Sequence, residues 1–146
     1  MKLRTNDYEY NLTEKQEFIE LGGVNFMRRF RKIIVDKIEY KWLFRYDDYD
    51  YINYPYLLIV MNSRQKATLN INFPIKEHFM LNNGLPATIQ GNKVSINLNQ
   101  PAYISQIIHQ CRESGESFEQ DGYKYLNGLE VLKEMGYEID PIYLKI

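Results

Sequence analysis

Cysteine, histidine, tryptophan and alanine are scarce in this chain, and long apolar runs are missing. One cysteine among 146 residues, Cys111, excludes an intrachain disulfide and favours a reducing compartment. His78 and His109 are the only histidines, and no Cys/His/Asp cluster has the spacing of a zinc site. No metal and no cofactor is therefore expected. The longest apolar run, Tyr56 to Met61, falls far short of the roughly 20 residues that span a membrane as a helix. The opening Met1-Lys2-Leu3-Arg4-Thr5-Asn6-Asp7 has none of the apolar character of a signal peptide. These absences lead to the expectation of a cytoplasmic protein with no membrane partner. Gly/Ser linkers, internal repeats and low-complexity tails are also missing, so one domain over residues 1–146 is expected. A net charge of −1 lacks the basic excess of a dedicated non-specific nucleic-acid binder. Alanine occurs only at Ala67, Ala87 and Ala102, while Asn, Ile, Lys and Tyr abound. That bias points to an AT-rich coding sequence, as in many low-GC bacteria and their phages.

What is present reads as alternating helical and extended periods. Thr13 and Gln16 form a capping box that opens a short helix, and Gly22-Gly23 closes it. From Val24 to Val35, Phe26, Met27, Phe30, Ile33 and Ile34 share one arc of a helical wheel. Arg28, Arg29, Arg31 and Lys32 fill the remaining arc. Ile38, Tyr40, Trp42 and Phe44 alternate with polar residues, the period of a half-buried strand. Tyr56–Met61 is apolar throughout and reads as a central strand. Leu69, Ile71 and Phe73 alternate after the polar turn at Asn62–Lys66, and a second hairpin is expected with Gly91-Asn92 as its turn. Pro101 suits the first turn of a helix whose Ile104, Ile107, Ile108 and Cys111 line one face. Asn127 and Glu130 open another helix that Gly136 ends. Ile142, Leu144 and Ile146 alternate as a last edge strand. The class is α+β: a mainly antiparallel sheet of about five strands with amino- and carboxy-terminal helices packed on it.

The helix, the β-meander, the stretch Ile71-Asn72-Phe73-Pro74 and the closing helices resemble the ubiquitin-conjugating and RWD-type folds in topology, over about half of the chain. The likeness stops at the chemistry. No His-Pro-Asn triplet and no cysteine follow the meander before the next helix, so no catalytic residue is carried over.

Function must then come from surfaces. Cys111 sits with three isoleucines on an apolar helix face, where a thiol acts as a small hydrophobe. Between two strands lies Tyr46-Asp47-Asp48-Tyr49-Asp50-Tyr51-Ile52-Asn53-Tyr54-Pro55-Tyr56, dense in tyrosine and aspartate. Tyrosine supplies stiff, amphipathic contact area and is enriched where proteins meet. The expectation is a small, non-enzymatic protein-binding regulator, of the kind a phage or mobile element encodes as an anti-defence inhibitor or immunity protein. Its partner would be a protein with a basic groove, contacted by Tyr46, Asp47, Asp48, Tyr49, Asp50, Tyr51 and Tyr54. Association between copies of the chain is a further option. Two rival readings remain open. Arg28, Arg29, Arg31 and Lys32 would dock nucleic acid or an acidic partner from one helical face. The Tyr/Asp loop would instead stack a nucleotide base and hold a divalent cation.

Overall fold

The computed structural model of the chain describes residues 30–46, 54–116 and 118–145. Contacts divide the chain at Arg31, and the architecture below is that of the carboxy-terminal unit with the strand that begins at its boundary. The helix expected from Thr13 to Gly22 and the first turns of the next one lie outside the described residues.

The larger sheet contains β1 (Arg31–Val35), β2 (Ile38–Arg45), β3 (Tyr56–Met61), β4 (Arg64–Asn72) and β7 (Gly122–Asn127). They lie side by side in that order. β3 pairs antiparallel with both β2 and β4, whereas β7 runs parallel to β4. A smaller antiparallel sheet sets β5 (Leu85–Ile89) between β6 (Asn92–Ile96) and the two-residue β8 (Tyr137–Glu138). Three α-helices are found among the described residues: α1 (Met80–Asn83), α2 (Pro101–Glu113) and α3 (Gly128–Glu134). The chain is thus α+β with a mainly antiparallel five-stranded sheet, as its periodicities imply.

One apolar face organises these parts. Tyr40, Trp42 and Phe44 of β2, Leu57, Ile59 and Met61 of β3, and Leu69 and Ile71 of β4 all enter a single buried cluster. Period-2 alternation is what puts them on one side of the sheet. Against them stands the face of α2 formed by Ile104, Ile107, Ile108 and Cys111, spaced as a helix requires. Leu85, Ile96 and Tyr137 of the smaller sheet join the same cluster. The buried Tyr40 hydroxyl accepts a 2.8 Å hydrogen bond from Arg112 at the end of α2. Tyr103 donates from α2 to the Ser95 carbonyl of β6 at 2.8 Å.

Three expectations need correction. Arg31–Val35 is a strand, where the spacing predicts a helix. The consecutive β-branched residues Ile33, Ile34 and Val35 favour an extended backbone. Asp36 and Lys37 then adopt φ of 52° and 68°, so the chain turns tightly back into β2. The second hairpin turns at Gln90-Gly91, with φ of 51° and 80°, one residue earlier than expected. Asn92 is already paired opposite Ile89. At the carboxy terminus a 3-10 turn, Pro141–Tyr143, replaces the last strand, capped by the Asp140 side chain on the Ile142 amide. A single bridge between Ile75 and Leu144 is what remains of the pairing there. Beyond these, α1, β7 and β8 form where the periodicities above mark no element.

The end of β7 is tightly built. Asn127 caps α3 by accepting a hydrogen bond from the Leu129 amide at 2.9 Å. A Cβ on the next residue, Gly128, would overlap the ring of the fully buried Phe73. Gly128→Ala should therefore destabilise the unit by about 2 kcal/mol through overpacking, read from urea unfolding. Lys37→Gly should act in the opposite direction. Removing the side chain from a left-handed turn position should raise stability by about 0.5–1 kcal/mol, seen as a higher Tm.

Candidate recognition surface at an open sheet edge

Strand β7 is the last strand of the large sheet, and among the described residues no strand pairs with its other side. Its register fixes where its side chains go. Lys124 lies beside Leu69 and Leu126 beside Ile71, both core positions of β4. Tyr123 and Tyr125 lie beside Thr68 and Asn70, so they stand on the opposite face. They are 57% and 66% exposed, with ring centroids 6.1 Å apart. A parallel strand directs the N–H and C=O of alternate residues away from its neighbour. The open side of β7 thus offers backbone hydrogen-bonding groups beside a pair of aromatic rings.

On the helix side of the same strand there is a cavity of about 200 Å³, lined by Cys111, Ser114, Glu116, Leu126, Glu130 and Glu134 among others. Three acidic residues, Glu116, Glu130 and Glu134, contribute to its lining. Glu116 Oε1 is shielded from solvent and lies 2.6 Å from Lys124 Nζ. Glu134 accepts from Ser114 Oγ at 3.2 Å, and Ser114 Oγ in turn accepts from Gln110 Nε2 at 2.9 Å. Neither Glu130 nor Glu134 has a cationic partner among the described residues, so the groove is left with net negative charge.

Cys111 sits at the floor of this cavity. Burial pushes its thiol from 9.0 up to about 12, and the nearby Glu116 and Glu134 carboxylates add to the shift. A nucleophilic cysteine needs the reverse, exposure and a positive neighbour. The thiol is a core group, as its helical spacing suggests.

The residues singled out from the sequence are only partly in view. Tyr46 is half-buried and packs on Phe44, with ring centroids 6.1 Å apart. Tyr54 is 37% exposed. Asp47, Asp48, Tyr49, Asp50 and Tyr51 lie outside the described residues. The stems of their loop are set by the Arg45–Tyr56 pair. That pair belongs to a row across the sheet, because Tyr56 faces Asn72 and Asn72 faces Asn127. The Tyr/Asp loop therefore leaves from the end of the sheet where β7 finishes. The opposite end carries Arg64, which pairs at 3.7 Å with Asp121.

The basic helical face is not formed as expected. Arg31 and Lys32 are consecutive residues of β1, and a strand sends consecutive side chains to opposite faces. Lys32 lies 3.9 Å from Glu39. Arg28 and Arg29 fall outside the described residues. His109 stands between two carboxylates, 3.2 Å from Asp36 and 3.8 Å from Glu113. Among the described residues no group of three or more His, Cys, Asp or Glu side chains is placed to share a metal ion. No described helix is long and apolar enough to cross a membrane.

No protein-family model, no curated protein and no solved structure matches this chain. The β7 surface has to be read from its own residues. Its signal was present in the sequence: Tyr123 and Tyr125 alternate with Lys124 and Leu126 between Gly122 and the capping Asn127, the pattern of a short strand.

The thiol offers a direct check. Because a raised pKa keeps Cys111 protonated, labelling by iodoacetamide at pH 8 should run about a thousandfold slower in the folded chain than in urea. The folded-state rate should keep climbing with pH toward 12 instead of levelling off above 9.

Proposed function

We propose that this chain is a small protein-binding regulator that recognises its partner through tyrosines presented by a rigid sheet. The observation that carries this reading is the exposed Tyr123–Tyr125 pair on an open edge strand beside an acidic groove. Large aromatic rings left in water, on a framework that keeps most of its other described aromatics buried or half-buried, are suited to contact. The stems of the Tyr/Asp loop, Tyr56 and Arg45, lie at the same end of the sheet, two and three strand spacings or about 10 and 14 Å from the end of β7. Both features favour a basic partner surface. In finer terms, the protein acts as an inhibitor or immunity protein of phage or mobile-element origin, working in the cytoplasm. The AT-rich bias and small size support that part of the reading.

Affinity purification with the full chain as bait should yield a protein complex that survives gel filtration. Replacing Asp48, Tyr49 and Tyr51 together by alanine should weaken that complex by about 2 kcal/mol without lowering Tm. A complex indifferent to those changes and to replacement of Tyr123 and Tyr125 would remove the reading.

A further inference from the structure

The open side of β7 has three properties that together define one kind of occupant. Among the described residues no strand pairs with its outer backbone groups, which only an extended segment satisfies in series. It carries two exposed tyrosine rings on the face away from the helices. On the helix face it adjoins Glu130 and Glu134, carboxylates with no cation partner among the described residues, Glu134 being held by Ser114. A strand laid beside β7 would place alternate side chains over these two faces. One set would meet the rings of Tyr123 and Tyr125, and the other would overhang the acidic groove.

We propose that the free edge of β7 accepts an extended, lysine- or arginine-bearing segment of a partner protein as a sixth strand. Its alternate cations enter the groove at Glu130 and Glu134. Its intervening apolar side chains cover Tyr123 and Tyr125. The edge at the other end of the sheet differs. β1 bears Arg31 and Lys32, a charge pattern that discourages pairing with a basic strand. The inference rests on the protein-recognition reading and names the partner's chemistry at one of its surfaces.

The test is an NMR titration of the full chain with a short capped peptide of alternating valine and lysine. Amide shifts should concentrate on Gly122–Asn127 and the first turn of α3. E130Q combined with E134Q should weaken binding roughly tenfold, the loss of two charge-assisted contacts. Tyr123→Ser with Tyr125→Ser, both at exposed positions, should weaken it by a similar factor while leaving the fold intact. The same peptide N-methylated at alternate residues should lose binding, because it cannot extend the ladder. Equal binding of an alternating valine and glutamate peptide would overturn the charge assignment. Undiminished binding of the N-methylated peptide would overturn strand addition. Shifts centred elsewhere, or no response at about 1 mM peptide, would overturn the site itself. Concentration-dependent shifts on β1 and β7 without peptide would assign the edge to a second copy instead. If the peptide fails while the loop-dependent complex persists, the edge proposal falls and the broader reading stands. The reverse result removes the loop and keeps the edge.

Discussion

Burial of one face of the large sheet against α2 is the constraint on which the other features depend. Each fully buried aliphatic or aromatic side chain contributes on the order of 1.5–3 kcal/mol. Tyr40, Trp42, Phe44, Leu57, Ile59, Leu69 and Ile71 are all on that face. A slip of one residue in any strand would turn its apolar set outward, so the register is pinned. Once the register of β4 is pinned, so is that of β7, and with it the outward direction of Tyr123 and Tyr125. The exposed tyrosines thus follow from where the core must be.

The same constraint explains why the two sheet edges differ. β1 closes one side with basic residues and a tight hairpin into β2, an arrangement that keeps strands from adding at random. β7 closes the other side after a long connection through α1, the smaller sheet and α2. It is anchored by the Asn127 cap and by the contact between Gly128 and Phe73. Its outer side is left with rings, backbone groups and a groove of carboxylates. Cys111 at the groove floor is made unreactive by the burial that makes α2 pack.

Much of the fold was legible because its strongest signals are local. The alternation in β2 and β4, the uniformly apolar β3, Pro101 at the start of α2 and Asn127 before α3 each declare themselves within a few residues. Arg31–Val35 misled because its apolar spacing fits a helix as well as a strand. Choosing between them required the turn at Asp36-Lys37 and the partner strand β2. The final Ile142, Leu144 and Ile146 show the converse. Their alternation is that of a strand, but only Leu144 finds a pairing residue, Ile75. The strand that carries Tyr123 and Tyr125 is faint in the sequence for a related reason. Six residues of mixed polarity are a weak strand signal until something pairs with them.

By itself the sequence determined the α+β class, the core face of α2 and the buried state of Cys111. These depend on local periodicity and composition, which a chain carries wherever it folds. Only the tertiary structure decided that β7 adds in parallel to β4, that β1 is a strand, and that an open aromatic edge lies beside Glu130 and Glu134. The β4–β7 pairing joins segments about fifty residues apart, and β1 becomes a strand only by pairing with β2 across its turn. The energy of each pairing belongs to contacts between two segments, and neither segment encodes it alone.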